Sequence, residues 1–149
     1  MKEKVLVSAC LLGENCKYNG KNNYNECVCE YVKDKEVYAI CPEVMGGLGI
    51  PRIPCEIVDD KVFNMQKEDT TKAYLQGAQE GVRIAEENNI KKAILKAKTP
   101  SCGKGAVYDG TFTHTLIKKD GITVMYLKKL NVEIYTEKEI EELVLINKK

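Results

Sequence analysis

The sequence predicts a single α/β domain over residues 1–149, built on a mainly parallel sheet flanked by helices. Two observations carry that expectation. Short apolar runs rich in β-branched residues alternate with segments of helical periodicity, the order that parallel crossovers require. No linker, repeat or low-complexity tract breaks the 149 residues, a length that suits one domain with a sizeable core.

The elements follow in chain order. Lys4 to Ala9 (Lys-Val-Leu-Val-Ser-Ala) reads as a first strand, and Leu11 to Asn25, full of Gly and Asn, as a loop. Glu36 to Ile40 reads as a second strand that stops at Cys41-Pro42. From there to Glu56, three glycines and three prolines predict a long irregular loop. Glu56 to Phe63, with Asp59-Asp60 as a turn at its centre, suggests a small hairpin. Between Asp69 and Asn89, Tyr74, Ala78, Val82 and Ala85 recur at helical spacing. Gly77 and Gly81 lie on or beside that face and would let the helix approach a sheet closely. Lys92 to Ala97 reads as the next strand and Lys98 to Thr113 as a second Gly-rich loop. Gly121 to Leu130 reads as a helix, Val132 to Tyr135 as a last strand, and Glu137 to Asn147 as a polar-faced helix. The charge-rich end from Glu137 to Lys149 reads as a solvated helix face.

Lysine plus arginine total 23 against 22 acidic residues, which provides no electrostatic reason to expect nucleic acid or an anionic membrane as partner. The apolar stretch Val5-Leu6-Val7 is too short for a signal-peptide core, and no other run approaches membrane-spanning length. The expected location is cytoplasmic. Stable disulfides are rare there, and the cysteine count of seven is odd. Clustered cysteines then point to metal binding or thiol chemistry, although free cysteines are also common as small buried residues.

Cys10 follows the first strand, Cys41 follows the second, and Cys102 follows Lys92–Ala97 inside Thr99-Pro100-Ser101-Cys102-Gly103. Carboxyl ends of parallel strands share one edge, where ligand sites form, so these three cysteines are expected to converge. Three thiolates suit zinc, cuprous copper or an iron–sulfur cluster. The flanking Gly46-Gly47-Leu48-Gly49 and Gly103-Lys104-Gly105 are expected to let backbone amides approach a bulky cluster. Closely spaced Cys-x-x-Cys pairs, more typical of a single zinc, are absent, and Cys27-Val28-Cys29 is a weak signal. Cys16 is the natural candidate for a fourth thiolate; if it does not bind, one metal position stays open for substrate. Glu43 beside Cys41, Thr99 and Ser101 before Cys102, and Lys96, Lys104 and Asp109 are the polar candidates around the centre. A carboxylate there could serve as general base or proton shuttle. His114, in a Thr-rich stretch away from any cysteine, is expected to be a surface or structural residue. Cys27, Cys29 and Cys55 are expected to be structural, with Cys55 a candidate for the wall of the site.

Val7-Ser8-Ala9-Cys10-Leu11-Leu12-Gly13 with Cys16-Lys17-Tyr18-Asn19-Gly20 resembles the opening of a bacterial family catalogued as domain of unknown function 523. Cys41-Pro42-Glu43-Val44-Met45-Gly46-Gly47-Leu48, with Pro51-Arg52-Ile53-Pro54-Cys55-Glu56, resembles its second motif. Lys96 to Gly110, with Pro100-Ser101-Cys102-Gly103 and Tyr108-Asp109-Gly110, resembles its third. The family includes thiouracil desulfidase. The resemblance implies a 4Fe–4S cluster held by Cys10, Cys41 and Cys102, its fourth iron free to capture sulfur from a thiolated base. Water would supply the replacing oxygen, with no net electron transfer. Glu43 would be the acid/base residue, and Thr99 stands where a serine is expected, keeping the hydroxyl and adding a methyl group. Ser101 joins them in the expected catalytic set. The expected partner is a small thiolated base, such as thiouracil, on a monomer or homodimer. The competing expectation is a non-catalytic iron–sulfur carrier, or a zinc or thiol-redox domain, in which Cys16 closes the site.

Overall fold

The computed structural model describes residues 2–147, so Met1 and the Lys148-Lys149 end of the charged terminus lie outside it. The chain runs β1 (Lys4–Ser8), α1 (Glu26–Val32), β2 (Glu36–Ile40) and α2 (Pro42–Met45). It continues through β3 (Cys55–Val58), β4 (Lys61–Asn64), α3 (Thr71–Glu87) and β5 (Lys92–Leu95). The last third holds β6 (Val107–Tyr108), β7 (Leu116–Ile117), α4 (Ile122–Lys128), β8 (Glu133–Thr136) and α5 (Glu137–Asn147). Among the described residues no helix is long and apolar enough to cross a membrane.

Side chains alternate between the faces of a strand, and in this chain both faces are apolar. Leu6, Ala93 and Leu95 share one face with Ala85, Val124 and Leu127 from α3 and α4. Val5, Val7 and Ile94 point the other way, onto Val28 and Val32 of α1 and Ile140 and Val144 of α5. Strands buried on both faces belong to parallel sheets. The four main strands are indeed all parallel, in the order β2-β1-β5-β8, with Leu6 opposite Tyr38 and Ala93. Each fully buried Val, Leu or Ile contributes about 1.5–3 kcal/mol. The hairpin β3–β4 stands apart and packs Ile57 and Val62 against Tyr74 and Ala78 of α3.

Four elements were not expected. Helix α1 is only seven residues long and is started by Asn25, whose side chain accepts from the Val28 amide at 3.0 Å. Helix α2 is one turn inside the predicted loop, opened by Pro42 at its first position. Strand β6 interrupts the second predicted loop and pairs antiparallel with β7, which lies just beyond it. The solvated reading of the C-terminal helix holds for one face only, because Ile140 and Val144 are core residues and Glu137 is buried. Gly77 also does something other than expected. A Cβ there would lie 1.9 Å from the Pro42 carbonyl oxygen, and one on Gly46 would lie 2.0 Å from that of Ala73. The close approach is therefore backbone to backbone between α3 and α2, whereas Gly81 does face β2, at Ile40.

The carboxyl edge of the sheet is tied together by polar bonds. The Ser8 hydroxyl accepts from the Lys96 amide at 3.0 Å, and Glu137 accepts from the Ala97 amide at 2.8 Å. These bonds align the ends of β1, β5 and β8, and the loops that leave that edge build the site.

Candidate functional site

A cavity of about 340 Å³ opens at this edge, and Cys10, Cys41 and Cys102 all line it. Cys10 sits in a 3-10 turn, Ala9–Leu12, that ends on Gly13 at φ +99°, a conformation that favours glycine. Cys41 is the residue just before α2. Cys102 is held in a tight turn in which its amide donates to the Thr99 hydroxyl at 2.7 Å and Gly103 donates to the Thr99 carbonyl at 2.9 Å.

Cys16 is buried between two of them and hydrogen-bonds with both Cys10 and Cys41. Its single S–H is shared between these two sulfurs, which keeps Cys16 protonated and moves its own titration far upward. The neighbours respond in the opposite sense. Cys10 is lowered by the Cys16 bond first, then by Asn23, whose side-chain amide donates to its sulfur at 3.4 Å. Cys41 is lowered to about 7, again by Cys16 first, then by the Val44 amide and the charge of Arg52. Burial pushes Cys102 up to about 12 against a smaller opposing bond from Ser8. In metal-free protein, iodoacetamide should therefore label Cys41 with a half-point near pH 7, below its ordinary value of 9.0, while Cys102 resists until far higher pH. Mass-spectrometric mapping of adducts across a pH series checks this order; equal labelling of both at neutral pH would contradict it.

Glu43 lines the cavity from α2, its side chain 19% exposed. One carboxylate oxygen lies 3.6 Å from Arg52 Nη2, and the other accepts from the Tyr74 hydroxyl. Arg52, 8% exposed, also donates to the Cys16 carbonyl at 2.9 Å and the Gly49 carbonyl at 3.2 Å, which joins the loops of the first two cysteines. Its Nε is buried with no acceptor among the described residues. Lys96 lines the cavity as well and is paired with Glu137 at 2.8 Å.

Several expected residues occupy other positions. Thr99 lines the cavity. Ser101 does not: it is fully buried, with its hydroxyl 2.7 Å from that of Thr123 on α4, so its hydroxyl serves the packing of the Cys102 loop. Lys104 pairs with Glu139 at 2.9 Å and Asp109 bonds to Thr111, and neither lines the cavity. The glycines expected to admit a cluster lie outside the lining; Gly46 serves the α2–α3 contact and Gly103 its own turn, where a Cβ would meet the Thr99 carbonyl at 2.7 Å. His114 is exposed as expected, yet it is not remote from the cysteines, since it lines the same cavity with its ring edge-on to Tyr108 at 5.8 Å. Glu56 brings it there by accepting from the Gly110 and Phe112 amides, each at 3.0 Å. Cys55 is a wall residue, raised by burial and bonded by Thr70 at 3.6 Å. Cys27 and Cys29 lie on α1, outside the cavity lining.

Arg52 and Tyr74 were not singled out from the sequence. Arg52 had a signal, a charged residue between two prolines, whereas Tyr74 sat on the apolar face of a helix and read as core.

Comparison with known proteins fits this geometry. The family model described as 2-thiouracil desulfurase matches residues 5–139. The uncharacterized protein YbbK of Bacillus subtilis (strain 168) is 35% identical over 149 residues, covering 93% of this chain and 99% of its own. A solved structure of the 4Fe–4S-dependent thiouracil desulfidase TudS superposes with a TM-score of 0.89 at 32% identity, covering 99% of both chains. With three cysteine loops meeting beside Glu43 and a family match across most of the chain, the protein belongs to the 2-thiouracil desulfurase family.

Proposed function

We propose that this protein is a hydrolytic desulfidase acting on a small thiolated base of the thiouracil class, with a 4Fe–4S cluster held by Cys10, Cys41 and Cys102. The observation that carries the reading is the meeting of three thiols from three strand ends on one cavity walled by Glu43. The donor set suits such a cluster. Thiolates are the usual ligands of iron–sulfur clusters, and Cys10, Cys41 and Cys102 are the residues that would hold one here. The cluster and its thiolates are anionic, and Arg52 and Lys96 supply the nearby positive charge that also favours the Cys41 and Cys10 thiolates. The unpaired Nε–H of Arg52 leaves that guanidinium with spare donor capacity beside the site. Family membership and the named activity of the similar structure support the substrate class.

A cluster bound by these three cysteines would supply a Lewis-acidic iron with affinity for the sulfur of a thiolated base. The rest falls to the chain. A carbon–sulfur bond is exchanged for a carbon–oxygen bond, water provides the oxygen, and sulfur leaves as sulfide, so no electrons are gained or lost. Glu43 is the group in the cavity wall suited to take a proton from the attacking water and return one to the departing sulfur. Thr99 accepts from the Cys102 amide and so keeps its hydroxyl hydrogen available to a water or a ring oxygen. Ser101, turned to Thr123, is left out of the chemistry.

A second reading has one observation in its favour. Cys16 bonds to two of the three cysteines and could close the site as a fourth ligand, giving a carrier. Anaerobic reconstitution with iron and sulfide, then incubation with thiouracil, separates the two. One sulfide released per base converted is expected, and a loaded protein that releases none from thiouracil or other thiolated bases would discard the desulfidase reading.

A further inference from the structure

We propose that Tyr74 is a positioning residue for the desulfuration, a buried hydroxyl that fixes the Glu43 carboxylate in its catalytic orientation from the side away from solvent. The inference rests on the reading of Glu43 as the acid/base residue and adds the means by which its aim is held.

Glu43 stands on α2, a single turn of four residues, which is too short to hold a side chain rigidly by its own hydrogen bonds. Rigidity has to come from a neighbour. Helix α3 is that neighbour, and it is 17 residues long. The contact between the two is set at backbone distance by Gly46 against Ala73 and Gly77 against Pro42, positions where any added Cβ would collide with a carbonyl oxygen. Tyr74 lies between Ala73 and Gly77 on the face that makes this contact. Its hydroxyl donates to Glu43 Oε2. Arg52 holds Oε1 from its own loop at 3.6 Å. The carboxylate is thus gripped at both oxygens by groups from two separate elements, and its remaining lone pairs are left for a water in the cavity.

The plainer account is that Tyr74 is a core residue, and for the ring this is true. It packs with Ile57, Val62, Ala78 and Ile122, and the residue is 1% exposed. A phenylalanine would make those same contacts without burying a hydroxyl, which is costly unless it is bonded. The bond it makes goes to Glu43, which lines the cavity two residues after Cys41. Burial, then the Glu43 charge, moves the phenol titration well above its ordinary value, so it remains a donor. Cys55 packs against the same apolar cluster, and Thr70 donates to it at 3.6 Å.

The test compares cluster-loaded wild type, Tyr74→Phe, Glu43→Gln and the double variant, prepared without oxygen. A hydrogen bond to a charged group is lost in Tyr74→Phe, so kcat should fall about tenfold to a hundredfold. KM, iron content and melting temperature should match wild type. In the Glu43→Gln background, residual kcat should not fall further when Tyr74 is also changed, because the hydroxyl acts through the carboxylate. Tyr74→Phe with wild-type kcat, or with the same fold-loss in both backgrounds, would overturn the inference. Wild-type kcat in Glu43→Gln would instead remove the reading of Glu43 on which it stands.

Discussion

Serine at Cys10, Cys41 or Cys102 is expected to leave the anaerobically reconstituted protein without its iron and without activity, whereas Cys16→Ser is expected to retain the iron. The three proposed ligand cysteines lie on separate loops that leave the carboxyl ends of three strands, so none can substitute for another if one is lost. Serine is a hard, weakly acidic oxygen donor and a poor replacement for thiolate on iron. Cys102→Ser is the sharpest member of the series. Its thiol titrates near 12 because it is buried, so only metal binding would draw it into the thiolate form. The structure around it is otherwise satisfied by the Thr99 turn, and the apo-protein should still fold.

Cys16 differs by its bonding. It acts as the thiol between Cys10 and Cys41, and a serine hydroxyl at the same place can donate its one proton to either sulfur. Iron and acid-labile sulfide analysis of the four single variants reads the outcome directly. Loss of iron from Cys16→Ser would make it the fourth ligand, close the open position and favour the carrier reading.

The parts of this architecture that the sequence made legible are those governed by local periodicity. Glu36–Ile40 and Glu137–Asn147 were delimited correctly, because alternation or helical spacing ran up to a clear stop such as Cys41-Pro42. The convergence of Cys10, Cys41 and Cys102 followed from strand ends and needed no knowledge of side-chain contacts. What stayed hidden depended on contacts between distant segments. Helix α2 is one turn whose Gly46 is fitted against α3, and a glycine-rich stretch read alone looks like a loop. The bend that brings His114 to the cavity depends on Glu56, 54 residues before the Gly110 amide it accepts from. Ser101 and Thr99 were equivalent by spacing, yet the turn around Cys102 exposes one hydroxyl to the cavity and directs the other to α4. Tyr74 was counted correctly as core; only the position of its hydroxyl tip reveals a second task.

Glu43→Gln is expected to lower kcat by about 10²–10⁴, the usual contribution of a positioned general acid/base, while the iron is kept. The amide is nearly isosteric and can still accept from Tyr74, so the α2–α3 contact is not disturbed. It cannot take a proton from water at neutral pH. The electrostatic consequence can be read separately from turnover. The Glu43 charge raises both Cys41 and Cys102, so removing it must move both thiols down in pH. For Cys41, already lowered to about 7, the labelling half-point in metal-free protein should shift further below neutrality. More thiolate at the ligand positions favours metal binding, which is why cluster loss is not the expected cause of inactivity. Measured together, an unchanged iron content, a downward shift in labelling and a loss confined to kcat would assign Glu43 to the reaction itself. Parallel loss of iron and rate would assign it to holding the site, and unchanged kcat would remove it from the mechanism.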